Sequence, residues 1–235
     1  MSSEEVLLSL RDVSVSYRIR SGFLKWSRFF PLRNLSFDLH RGETLGIIGR
    51  NGVGKSTLLR LLAGIIGPDA GQVVNHGASV SLLSLGAGFV PHLSGRENAL
   101  LNGMLLGLRL KEIKARMASI IEFSGLEEFI DRPLRTYSTG MRSRLAFAVA
   151  IQTDTDVLLV DEILGVGDEE FRVKSSNEIK RMIRSDKTVV FVSHQLPAVK
   201  ELCDRIVWIE DGVIKDSGDV QSVVARYVES VNRRV

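Results

Sequence analysis

The nine residues GRNGVGKST, 49–57, decide how the rest of the chain is read. Gly49, Gly54, Lys55 and Ser56 satisfy the spacing G-x-x-x-x-G-K-[ST], with Arg50, Asn51, Gly52 and Val53 between them and Thr57 closing the run. The glycines let the backbone curl so that its N–H groups surround phosphate oxygens. Lys55 then reaches the terminal phosphates, and the Ser56 hydroxyl ligates magnesium. Glycine makes up about 7% of ordinary sequence, so the four fixed positions match by chance in about one chain in a hundred of this length. The competing reading is a glycine-rich turn without ligand. Context argues against it: the strand-like TLGII precedes the loop, and KSTLLRLLAG follows as a helix with Gly64 as its C-terminal cap.

A phosphate loop needs a second element to hold magnesium and prepare water. VLLVDE, 157–162, is an apolar strand ending in two carboxylates, which it delivers to the sheet edge where the loop lies. Asp161 is expected in the magnesium shell and Glu162 as general base on the attacking water. Alone, such a pair reads as a solvated strand end; about a hundred residues after a phosphate loop it does not. VVFVSHQ places His194 after another buried strand at the same edge, where it is expected to touch the γ-phosphate and steady the transition state. Tyr17, near the end of the first strand pattern, is either a half-exposed strand residue or a ring for adenine to stack on.

Further out, Val13, Val15, Tyr17 and Ile19 alternate with polar residues as in a half-buried strand, and LSFDLHRGETLGIIG continues with β-like runs. Ser94 and Glu97 in SGRE fit a capping box, and helical spacing follows through Leu110, Ile113, Met117, Ile120 and Ile121. Residues from about 94 to 152 read as a helical insert. VLLV and VVFV have the unbroken apolar character of strands inside a parallel sheet. IVWIEDGVIKD reads as a hairpin turning at Asp211 and Gly212, and Val220, Val223, Val224, Tyr227 and Val228 mark a last amphipathic helix. The fold class is α/β with a helical lobe.

The 235 residues suit one core or two subdomains sharing one. With 44% hydrophobic and 25% charged residues the chain is an ordinary globule, and a net charge of +3 is too small to argue for nucleic acid. No apolar run approaches the roughly 18–20 residues of a spanning helix, and the start MSSEEVLLSLRD lacks the form of a secretory signal, so a cytoplasmic location is expected. Cys203 is the sole cysteine and reads as a core residue. The histidines lack metal-ligand spacing.

YSTGM, 137–141, opens the helix RSRLAFAVA, which carries an apolar stripe. A helix start is a natural anion site, yet no phosphate-loop lysine stands beside this one. Tyr17, GRNGVGKST, YSTGM, VLLVDE and VSH, in that order, resemble the nucleotide-binding subunit of ATP-binding cassette (ABC) transporters over nearly the whole chain. YSTGM is similar to the family's LSGGQ signature, keeping Ser138 and Gly140 with Thr139 and Met141 for Gly and Gln. The strings LSLGAGFVPHLSGREN, YSTGMRSRLAFA, VDEILGVGDEEFRVK and VVFVSH resemble the branch that exports O-antigen, capsule or teichoic acid.

The resemblance implies a single ABC ATPase domain over residues 1–235: a P-loop NTPase core sheet, an N-terminal antiparallel β subdomain and the inserted helical subdomain. It implies ATP and Mg²⁺ as ligands and a head-to-tail dimer, of two copies or with a paralogue, in which Ser138 and Gly140 of one subunit complete the ATP site of the other. Asp168, in GVGDEEF, matches the loop that crosses to the opposite site. The expected partner is a membrane permease, with the ATPase peripheral on the cytoplasmic face of the inner membrane and no nucleic acid bound. Many exporters of this branch carry a C-terminal carbohydrate-binding domain; this chain is expected to lack one.

One departure stands out. The glutamine that such cassettes place between phosphate loop and signature is replaced in SLLSLGAGF by Ser84 or Leu85, and Gln72 comes too early. SGFLKWSRFFP, 21–31, mixes Lys25 and Arg28 with Phe23, Trp26, Phe29 and Phe30; it is read either as contact with the permease or lipid headgroups or as a loop burying its own aromatics. Other readings are a cassette exporter for another substrate, a soluble cassette ATPase acting on ribosomes or DNA, and a nucleotide-dependent module without turnover. The single cassette, the small net charge and Glu162 weigh against the last two.

Overall fold

The computed structural model describes residues 5–20, 26–83, 88–161, 168–185 and 187–233. The chain divides into two compact units, residues 1–82, 156–162 and 183–235 forming the first and residues 83–155 and 163–182 the second.

In the first unit, β1 (Val6–Arg20) and β2 (Trp26–His40) form a long antiparallel ribbon, and β4 (Ala70–Asn75) pairs with the other edge of β1. Gln72 lies in β4 opposite Arg11. The alternation from Val13 to Ile19 is one continuous strand, but burial stops part-way: Val13 and Val15 are in the core while Tyr17 and Ile19 are exposed. A second sheet has the order β5-β6-β7-β3-β8-β9, with β3 at Thr44–Ile48, β5 at Val80–Leu82, β6 at Val157–Asp161, β7 at Thr188–Val192, β8 at Arg205–Glu210 and β9 at Val213–Asp219. Its first five strands run parallel, and β9 returns antiparallel to β8. Asp211 and Gly212 both take positive φ, 49° and 78°, the geometry a tight two-residue hairpin demands. β3 and β7 are buried throughout, as strands covered on both faces must be. Helix α1 (Lys55–Leu62) sets Leu58, Leu59, Leu61 and Leu62 into a core shared with β1, β2, β3 and β6, and ends at a left-handed Gly64 whose N–H reaches the Leu61 carbonyl. Helix α6 (Leu196–Leu202) leads into β8, and α7 (Val220–Asn232) buries Val220, Val223 and Val224 and sets Tyr227 edge-on to Trp208.

The second unit is helical: α2 (Gly95–Leu105), α3 (Leu110–Ser124), α4 (Thr139–Ala150) and α5 (Glu169–Ile183). The Ser94–Glu97 capping box is formed in both directions. Ile113, Met117 and Ile120 of α3 meet Leu145, Ala148 and Val149 of α4 in one cluster. The apolar stripe expected on α4 is not a stripe: Leu145 through Ala150 are all buried, and α5 meets the helix at Phe147. There Phe171 of α5 lies edge-on to Phe123 and Phe147, themselves stacked at 5.8 Å.

Candidate functional site

The phosphate loop leaves the end of β3, the strand flanked by β7 and β8. Gly49, Gly52 and Gly54 all have positive φ, and at two of them space is as decisive as conformation. A Cβ on Gly49 would stand 2.4 Å from the Ile209 carbonyl oxygen, and one on Gly54 2.3 Å from that of Pro31. The loop is thus pressed against the backbone of β8 on one side and β2 on the other. Lys55 is buried, and its Nζ donates to the carbonyls of Gly49 at 2.8 Å and Arg50 at 3.0 Å, folding the cation back across the loop mouth.

Ser56 Oγ donates to Asp161 Oδ2 at 2.9 Å, so the hydroxyl at the start of α1 and the carboxylate at the end of β6 converge from positions a hundred residues apart in the chain. A cavity of about 260 Å³ opens here, walled by Asn51, Gly52, Gly54, Lys55, Ser56 and Thr57 of the loop, by Asp161, and by Tyr17. Val53 sits inside the turn against Gly49, and Arg50 is exposed. His194 follows β7 at the same strand ends, two residues past Val192, which pairs with both Ile47 and Asp161; it is exposed and is not among the residues walling the cavity. Glu162, Ser84 and Leu85 lie outside the described residues.

The sequence reading missed Phe29. Spacing places it in the aromatic and basic run 21–31, read either as permease or headgroup contact or as a loop burying its own aromatics, yet it pairs across the strands with Tyr17 and lines the same cavity. Cross-strand partners share one face of a ribbon, so the register carries the signal that spacing within one strand does not. Neither ring enters a ring–ring pair among the described residues, and both are exposed beside the cavity, where a planar base could stack.

In the helical unit, Ser138 is the N-cap of α4: its Oγ accepts from the Met141 N–H at 3.1 Å. Its own O–H remains able to donate outward. Gly140 is the second residue of the helix, and a Cβ there would meet nothing nearer than Ser138 Oγ at 3.8 Å, so the surface above it is open. Tyr137 is buried beneath, its OH donating to the Phe129 carbonyl at 2.7 Å, which fixes the turn from the inside. Asp168 caps α5, accepting from the Phe171 N–H at 3.0 Å, and faces Arg144 of α4 at 3.8 Å.

A strand, a glycine loop and a helix N-terminus, with a serine and an aspartate meeting beside a buried lysine, form a cradle for a triphosphate. The family model described as ABC transporter matches residues 32–165. The chain belongs to the ABC transporter family. Its relatives within this ABC family include the O-antigen export system ATP-binding protein RfbB of Klebsiella pneumoniae, 45% identical over 88% of this chain and 85% of that protein. The Myxococcus xanthus protein of the same name is 45% identical over 95% of this chain, and the teichoic acids export ATP-binding protein TagH of Listeria innocua 44% over 88%. The chain spans 56% and 62% of those two longer proteins. The fold matches a dimeric, post-hydrolysis ATP-binding cassette bound to ADP and Pi, with a TM-score of 0.74 and 21% identity over 91% of this chain and 99% of that one. As an ABC ATP-binding subunit, the chain is an ATPase coupled to transport.

Proposed function

We propose that two copies of this ATPase close around two ATP molecules and power export of a lipid-linked, O-antigen-like polysaccharide through a separate membrane permease, from the cytoplasmic face of the inner membrane. The observation that carries the nucleotide chemistry is the convergence of Lys55, Ser56 and Asp161 on one cavity. The names of the relatives, O-antigen export and teichoic acids export, support the substrate class. The helical part and the core sheet work as one ABC domain, with residues of the stretch 21–31 on the membrane side.

Magnesium fits the donor set. Ser56 Oγ and Asp161 offer hard oxygens, and among the described residues no cluster of three His, Cys, Asp or Glu forms a cage of its own. That is the pattern for an ion held by one or two protein oxygens and the phosphates. When bound, magnesium neutralises charge on the β- and γ-phosphate oxygens. The chain's own residues do the rest. The loop N–H groups and Lys55, released from the Gly49 and Arg50 carbonyls, hold the phosphates; Tyr17 and Phe29 receive the base; Glu162 takes a proton from the attacking water and His194 steadies the γ-phosphate. From the second subunit, the Ser138 O–H and the Gly140 N–H close on the γ-phosphate, and Asp168 reaches toward the opposite site.

Glu162→Gln tests this. Expected is hydrolysis slower by about 100-fold or more with ATP still bound, and a shift from monomer to dimer in size-exclusion chromatography when ATP is added. Normal turnover, or a monomer at saturating ATP, rejects the assignment.

A further inference from the structure

The outer end of the β1–β2 ribbon pairs Tyr17 with Phe29, Arg18 with Arg28, Ile19 with Ser27 and Arg20 with Trp26. Because side chains alternate across a strand, the aromatic and basic residues that run together in sequence separate onto two faces. Tyr17 and Phe29 turn to the nucleotide cavity; Arg18, Arg28 and Trp26 share the other face and, together with Ser27, line a cavity of about 330 Å³ distinct from it. Like charges directly opposite one another destabilise a ribbon. Arginines elsewhere, such as Arg41, Arg96 and Arg226, relieve their charge in ion pairs, but Arg18 and Arg28 make none among the described residues. Asp69 is within electrostatic reach of Arg28, yet its carboxylate already accepts from the N–H and hydroxyl of Ser16. Beside the two guanidiniums Trp26 is 68% exposed.

We infer that this face docks on the phosphate headgroups of an anionic lipid surface, with Arg18 and Arg28 straddling phosphate and Trp26 entering the interface. Charge complementarity selects the occupant: two opposed, unpaired guanidiniums call for phosphate, and a Trp ring with an apolar body and one N–H suits the headgroup level of a bilayer. The inference rests on the reading of the chain as a membrane-peripheral subunit, and it adds a direct lipid contact that does not pass through the permease.

Co-sedimentation of the full chain with vesicles of phosphatidylcholine alone, or of phosphatidylcholine with phosphatidylglycerol, tests it. Binding is expected to the anionic vesicles, to weaken as salt rises, and to fall about thirtyfold in the double variant Arg18→Gln, Arg28→Gln, the loss due to two basic side chains leaving an anionic surface. Arg18→Lys with Arg28→Lys should retain most of it. ATP hydrolysis measured without vesicles should stay at the wild-type level in both, which separates failure here from failure of the ATPase reading. If the double variant does not fold, Arg28→Gln alone should lose about fivefold. Equal sedimentation of wild type and variants, or with both kinds of vesicle, overturns the inference. So does release by inorganic phosphate at matched ionic strength, which would mark a soluble phosphate ligand, and binding seen only when the vesicles contain permease, which would mark a protein partner.

Discussion

Lys55 begins with its hydrogen bonds spent on the loop's own carbonyls, so nucleotide binding exchanges partners for a cation that is already in place. Lys55→Ala should weaken ATP binding by about tenfold or more, as expected for a lost charge-assisted contact, measurable by titration calorimetry, and leave no measurable hydrolysis; undiminished binding would count against the phosphate-loop reading. Phe29→Ala should raise the KM for ATP about five- to tenfold with a small change in kcat, since a base-stacking contact is worth ~1 kcal/mol or more. Phe29 shows where reading single residues stops: its role depends on its partner Tyr17 in the other strand, and nothing within RFF reports that register. Cys203 was readable from its apolar neighbours. Burial pushes its thiol up to about 12, with Asp204 adding to the effect, so alkylation of the native protein at pH 8 should be slow and become fast on unfolding.

Among elements, the entries to three strands of the central sheet, β3, β5 and β6, are tied at Asp156. Its carboxylate accepts from the hydroxyl and N–H of Ser79 ahead of β5 and meets Arg41 ahead of β3, and those hydrogen bonds hold its pKa at about 2 against the ordinary 3.8. A folded value below the unfolded one means the folded state favours the ionised group. The stabilisation is therefore full above pH 3.8 and is lost as pH falls toward 2. Asp156→Ala should lower stability by about 1 kcal/mol, or roughly 2–4 °C in Tm, checked by thermal unfolding at pH 7, with the difference from wild type shrinking below pH 3.8. Elements with a strong local pattern were plain in the sequence: the capping box before α2, the Asp211–Gly212 hairpin, the unbroken apolar runs of β6 and β7. The partner of Phe147 in α4 was not, because Phe171 arrives from a helix beginning nearly twenty residues after α4 ends. The Arg144–Asp168 contact between those two helices is likewise invisible to periodicity.

For the whole molecule, a chain with one phosphate loop and one signature turn makes a specific forecast about mixtures. Lys55→Ala and Ser138→Arg should each abolish hydrolysis alone. In a mixed dimer, both lesions fall in one site, and the other joins an intact loop from one chain to an intact turn from its partner. Mixing the two inactive proteins should restore part of the ATPase activity; none regained would argue against composite sites. The order of the central sheet has a different consequence, for synthesis. The strand that launches the phosphate loop, β3, is held by β7 and β8, which begin at Thr188 and Arg205, more than a hundred residues downstream. Closing such distant pairings costs chain entropy and sets the pace of folding. A nascent chain stalled short of Arg205 would carry every residue of its phosphate loop and lack one wall of the strand that shapes it, so nucleotide should be captured only once β8 has been made.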